Sequence, residues 1–303
     1  MTAASDDPRE VVRNFPRTRD HFIGIDSDGC AFDTMEVKHK ECFIPNIIKH
    51  FGLAAISKYA REAAEFVNLY SQWRGINRFP GLTLVFDLLA DRPEVARRQF
   101  PIPSVPGLRA WIDRETRLGN PTLKQAVATA HDPDLELTLK WSEAVNQSVE
   151  EIVKGVPPFP LVRESLAKLR EEADIMVVSA TPGEALKREW REHGLDRYVT
   201  LIAGQELGNK RELLEMAAGP RYDAAKCLMI GDAPGDFQAA DSNGILFYPI
   251  DPGHEDESWA RFHDEAIDLF FNGRYGGHYM AERFTRFQSL LPVNPHWPTL
   301  SKR

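Results

Sequence analysis

Two acids close the first apolar run of the chain, in Phe22-Ile23-Gly24-Ile25-Asp26-Ser27-Asp28-Gly29. Alternate side chains of an extended segment share a face, so Asp26 and Asp28 can act together where such a strand gives out. Gly29 then lets the chain bend away. Asp and Gly are also ordinary turn residues, and what sets this junction apart is a second one like it. The run Cys227-Leu228-Met229-Ile230-Gly231 empties into Asp232 and, past a Pro-Gly turn, Asp236. Open α/β sheets hold their ligands outside the carboxyl ends of the strands. Carboxylates gathered on such an edge repel one another unless a cation lies among them. Hard oxygen donors of this kind suit Mg²⁺, which takes one or two protein carboxylates and keeps several waters.

These acids need a sheet beneath them, and the second half of the chain is patterned for one. Helix and strand alternate: helix 161–172, strand 175–179, helix 183–193, strand 199–203, helix 210–218, strand 227–231, helix 236–242 and strand 245–248. With a first strand at 22–27, this predicts an α/β fold built on a doubly wound parallel sheet. Residues 35–157 contain no good buried strand, only amphipathic runs at helical spacing (53–70, 82–89, 108–118, 123–131 and 135–153) punctuated by Pro and Gly. An ordinary crossover needs only about 10–12 residues, so 35–157 is predicted to be an inserted α-helical domain, with 1–34 and 158–303 forming the core. Pro45 is expected to kink or end the first inserted helix. Residues 1–20 read as a polar tail, and 258–303 as a helical extension covering the core or a partner subunit.

The whole chain limits what these groups act on. It has 303 residues, 43% apolar and 27% charged, with a net charge of −8 and no basic tract. That excludes nucleic acid or an acidic membrane as the main partner, although a metal and a few cations can still attract a small anion into one cleft. Cys30, Cys42 and Cys227 form no paired framework and no CxxC, which fits a reducing compartment. No stretch reads as a signal peptide or a bilayer span, so a soluble, cytoplasmic protein is expected. Its oligomeric state is left open, a homo-oligomer included.

Taken in order, the motifs resemble the haloacid dehalogenase-like (HAD) hydrolase superfamily: a strand ending DxD (Asp26-Ser27-Asp28), a strand ending in Ser or Thr (Ser179), a Lys (Lys210) and a strand ending GDxxxD (Gly231-Asp232 to Asp236). The resemblance implies a Rossmann-like core with a helical, C1-type cap. It implies a Mg²⁺-dependent phosphatase of the phosphoglycolate phosphatase kind, acting on a small phosphorylated metabolite through an aspartyl-phosphate. In that scheme Asp26 is the nucleophile and Asp28 the general acid and then base. Ser179 and Lys210 hold the transferring phosphoryl group, and Asp26, Asp28, Asp232 and Asp236 surround the metal. Relatives that cleave carbon–halogen bonds lack the second Asp, so Asp28 favours phosphoryl chemistry. A sugar phosphomutase keeps the same set; a phosphonate- or halide-cleaving relative and a non-catalytic binding member are the remaining alternatives. Two positions depart from the family pattern: Cys30 replaces Thr, and Arg211 stands where Pro usually follows the Lys, leaving Lys210 and Arg211 both in play. Substrate contacts are expected in the cap, at Arg74 and Arg78 of the Gln72–Phe79 break and at Lys38, with Thr181 on the core. A solvated surface is the plainer reading of the cap residues.

Overall fold

The computed structural model describes residues 7–219 and 221–302. It divides into two compact units: Met1–Thr34 with Gly155–Leu290, and Met35–Lys154 with Leu291–Arg303.

The first unit is built on a parallel five-stranded sheet, β1 (His21–Ile25), β2 (Ala173–Val178), β3 (Leu201–Ala203), β4 (Cys227–Gly231) and β5 (Leu246–Pro249), in the order β3-β2-β1-β4-β5. β1 is central, with Ile25 in register with Val177 of β2 on one side and Ile230 of β4 on the other. The chain leaves β1 first toward β2 and β3 and later crosses to β4 and β5, so strand order reverses at β1, the place where open α/β sheets form a crevice. β2 and β4 are buried throughout, as strands covered on both faces must be. Helices at Val162–Leu169, Gly183–Glu192, Lys210–Ala217 and Pro234–Ser242 connect the strands.

Residues 7–20 do not form a free tail. Glu10–Arg13 is helical, Val12 and Phe15 are buried, and Phe15 meets Phe22 edge-to-face at 5.5 Å. The buried Asp174 anchors this segment, accepting from Thr18 Oγ1 (2.5 Å), Thr18 N (2.7 Å) and Arg19 N (2.8 Å) as well as Tyr222 OH (2.8 Å). The first six residues of the expected tail lie outside those described. At the other end, helical segments over Glu255–Phe271 put Trp259, Phe262, Ile267 and Phe270 into the apolar core of this unit. The helix His278–Leu290 lays Phe287 against Phe247 of β5 at 5.9 Å.

Among its described residues the second unit has helices and no strands, packed around Phe79, Phe86, Trp111 and Trp141. Two expectations are corrected here. Pro45 does not end its helix: helical backbone runs on from a π-helical turn at Lys38–Phe43 into Ile44–His50, and this wider turn stands just ahead of the proline that lacks a backbone donor. And residues 291–302 go with this unit, not with the α/β core to which 258–303 was assigned. Trp297 is buried against Phe66 (5.6 Å), and the backbone of Leu300 donates to the Asp91 carbonyl at 2.8 Å. Among the described residues no helix is long and apolar enough to cross a membrane.

Candidate active site

β1, β2 and β4 end side by side, and each delivers one reactive side chain to the same edge. Past Ile25, Asp26 N donates to Ile230 O at 3.0 Å, prolonging the β1–β4 ladder by one residue. Past Val178, Ser179 N donates to Ala203 O at 3.1 Å and prolongs β2–β3 likewise. Asp232 follows β4 directly. The backbone leading into Asp26 is thus held by sheet bonds, with no loop slack between strand and functional group.

Asp26, Asp232 and Asp236 are buried, and one oxygen of each lies within 4.8 Å of the others. Asp236 reaches this group by folding back from the third position of its helix. Its Oδ2 accepts from Asp232 N (3.2 Å) and Ala233 N (3.0 Å), satisfying amides at the helix start. That approach requires glycine at 231, since a Cβ there would lie 2.4 Å from Asp236 Cβ. Lys210 Nζ sits between two of the acids, 2.5 Å from both Asp26 Oδ2 and Asp236 Oδ1.

The choice between Lys210 and Arg211 rests on a helix cap. Asn209 Oδ1 accepts from Glu212 N (3.0 Å) and Glu212 Oε2 accepts from Asn209 N (3.2 Å). This reciprocal box makes residue 210 the first of its helix. Lys210 is thereby placed at the carboxylates, while Arg211 is exposed.

Three carboxylates around one ammonium leave a buried negative excess. Burial pushes the Asp26 carboxyl well above the usual range; Lys210 pulls it down, and Asp236 and Asp232 push it up again. For Lys210, burial favours the neutral amine, but Asp236 and Asp26 outweigh this and raise its pKa, so it stays charged. Burial, with the same acids nearby, holds the Cys30 thiol far above its normal pKa, which makes it a packing residue and no nucleophile.

Asp28 lies one turn on, where Gly29 adopts φ 75° and allows the bend. Its Oδ2 accepts from Thr181 Oγ1 at 2.6 Å, and its Oδ1 from Thr34 Oγ1. Thr181, expected among the substrate contacts, therefore holds the candidate general acid. Thr181 N also donates to Ser179 Oγ at 3.2 Å, orienting that hydroxyl. The bond from Thr34 to Asp28 has no signature in the sequence beyond the hydroxyl itself.

The remaining candidates belong to the helical unit. Arg74 is not a surface clamp: it is buried and donates through Nη1 to the Leu69 carbonyl (2.8 Å), one of the groups left open at the end of the Ser57–Asn68 helix. Arg78 begins the helix Arg78–Ala90. Its Nη1 is held by Ser142 Oγ (2.9 Å) and Asn146 Oδ1 (2.7 Å), its guanidinium lies 4.9 Å over the Phe43 ring, and burial lowers its pKa to about 10. Lys38 opens the π-helical turn.

Residues 110–249 match the family model of the haloacid dehalogenase-like hydrolases. The chain carries a HAD-like hydrolase domain. The matched stretch includes Ser179, Lys210, Asp232 and Asp236 and begins after Asp26 and Asp28. Over 121 residues the chain is 28% identical to the phosphoglycolate phosphatase of Mesorhizobium japonicum, a match covering 38% of this chain and 53% of that protein. The chain thus spans about half the length of this curated relative. Among solved structures it resembles a HAD-superfamily hydrolase of subfamily IA from Geobacter sulfurreducens (18% identity, TM-score 0.39, 77% of this chain and 88% of that one). It also resembles a haloacid dehalogenase-like family protein from Streptococcus pneumoniae (13% identity, TM-score 0.40, 80% and 92%).

Proposed function

We propose that the protein is a Mg²⁺-dependent phosphatase that hydrolyses a small phosphorylated metabolite through an aspartyl-phosphate on Asp26. The observation that carries this reading is the Asp26 carboxylate, held at the switch point of the sheet with Lys210 on one oxygen and two further buried acids beside it. Phosphate monoesters are extremely inert, and two displacements through a covalent intermediate replace one difficult step by two easier ones.

The donor set fits a hard divalent ion, because three buried carboxylates surround the Lys210 ammonium and have no room to separate. Asp26, Asp232 and the backbone carbonyl of Asp28 would hold Mg²⁺, with Asp236 supporting them. When bound, the ion supplies charge neutralisation for an anionic nucleophile meeting an anionic ester. The other tasks fall to the chain itself. Lys210 favours the ionised form of Asp26, orients it and offers its charge to the transferring oxygens, and the Ser179 hydroxyl donates to the same group. Asp28 delivers a proton to the leaving alkoxide and then takes one from the attacking water. Its two threonine partners hold the orientation of that carboxyl group.

The test is phosphate release from p-nitrophenyl phosphate and a panel of phosphorylated metabolites, with Mg²⁺ and with EDTA, for wild type and Asp26→Asn. EDTA should abolish turnover, and Asp26→Asn should lower kcat by at least about a thousandfold, since it removes the group on which the intermediate forms. Release that survives either change rejects the reading. Isomerisation of a sugar phosphate without release would replace it with the mutase.

A further inference from the structure

The residue between the two catalytic-motif acids has its own set of partners. Ser27 is fully buried. Its Oγ accepts from the indole Nε1 of Trp190 at 2.9 Å and donates to Glu189 Oε2 at 3.2 Å. Its backbone N donates to Asp26 Oδ1 at 2.7 Å, and its carbonyl accepts from Ala31 N (2.9 Å) and Phe32 N (3.1 Å), closing the turn that carries Asp28. Every polar group of Ser27 is therefore engaged with the Asp26–Phe32 turn or with the helix Gly183–Glu192. Trp190 is itself buried, packed edge-on to Phe32 at 5.8 Å. Just before that helix begins, Thr181 holds Asp28 Oδ2. One stretch, 181–190, thus grips the turn twice, through Asp28 and through Ser27.

We propose that the Ser27–Trp190 hydrogen bond is a positioning device that sets the orientation of Asp26 and Asp28 for the reaction, an inference that rests on the phosphatase reading for its kinetic consequence. A carboxylate attacking in line must be held to a fraction of an ångström. The Asp26 oxygen bonded to Ser27 N keeps its direction only if residue 27 itself cannot rotate. A hydroxyl bonded to a rigid, buried indole supplies that restraint, whereas an apolar side chain filling the same space would supply only packing. Ser27 and Trp190 are positioning residues here, since the side chain of neither touches the reacting atoms.

The experiment compares wild type, Ser27→Ala, Trp190→Phe and the double variant. Ser27→Ala removes only an oxygen and is the variant that keeps its fold if Trp190→Phe does not. Steady-state hydrolysis of p-nitrophenyl phosphate should show kcat lowered about tenfold in Ser27→Ala with KM changed less than about twofold, the signature of a misaimed nucleophile. The double variant should be no slower than the slower single one, because both changes break the same bond. Backbone amide exchange should accelerate at Ala31 and Phe32 while the amides of β4 keep their protection. Wild-type kcat in Ser27→Ala, losses that multiply in the double variant, or exchange that rises equally across the whole sheet would each overturn the inference. If wild type hydrolyses no phosphate ester tried, the phosphatase reading falls. The exchange measurement then decides on its own whether the bond orders this turn.

Discussion

Lys210 is the residue on which the local charge balance turns. An ammonium 2.5 Å from two buried carboxylates cannot be replaced by a neutral side chain without leaving those acids to each other. We expect Lys210→Met to lower kcat by roughly a hundred- to a thousandfold, the usual cost of losing a preorganised charge at a developing anion. We expect Lys210→Arg to recover little of this, because a planar guanidinium cannot occupy the point between Asp26 and Asp236 that Nζ fills. Steady-state kinetics on both variants checks this, and an Arg variant within tenfold of wild type would show that charge alone suffices. The same residue marks how far single positions could be read from sequence. Asp26, Asp232 and Ser179 were legible because each directly follows an apolar strand, and the strand carries the residue to the sheet edge. Lys210 was ambiguous with Arg211, although the Asn209–Glu212 pair that settles the register is a readable cap signal. Thr34 and Ser27 were opaque. Their roles come from hydrogen bonds that form only once the turn after β1 is folded, to Asp28 and to Trp190, and no spacing rule encodes such partners.

Among the elements, β2 begins with a buried acid that would be a liability if it were not so well bonded. Burial works against ionised Asp174, but hydrogen bonds from Thr18, Tyr222 and Arg19 outweigh it and hold its pKa below the ordinary value. Because the folded-state pKa is depressed, the stability it confers is present above the unfolded value of about 4 and is lost as pH falls through the folded one. Asp174→Asn should therefore destabilise the protein by about 1–3 kcal/mol at neutral pH, the cost of leaving buried donors poorly matched. The gap between variant and wild type should narrow toward pH 3. Urea unfolding at the two pH values measures it, and a gap that does not depend on pH would mean the carboxylate is not ionised in the fold. This bond set also explains why residues 7–20 were misread as a tail: their composition is polar, but two backbone amides and a hydroxyl are spent on one carboxylate about 150 positions away. The core elements themselves were legible to within a few residues, since periodicity and punctuation are local signals.

At the level of the whole molecule, the chain passes between its two units three times, at 34/35, 154/155 and 290/291. An insertion needs only the first two crossings. The third brings 291–302 into the helical unit, where Trp297 fills its core and Arg92 is held between aromatic rings, 4.5 Å from the centroids of both Trp297 and Tyr59. Arg92 is also ion-paired to Glu62 at 2.5 Å, so the guanidinium is neutralised and covered at once. No periodic pattern predicts the docking of a lone tryptophan in a segment without regular structure, and for that reason this assignment escaped the sequence. Trp297→Ala should cost about 3–5 kcal/mol, as for other large-to-small changes in a packed core. The loss should fall on the helical unit: amide exchange should rise across 57–68 and 78–90, whereas β1, β2 and β4 should keep their protection. Trp297→Phe, which retains a ring for Phe66 and Arg92, should recover more than half of the loss. If exchange rises throughout both units, the C-terminal segment stabilises the molecule as one cooperative block; if it rises nowhere, Trp297 adds nothing to the core it occupies.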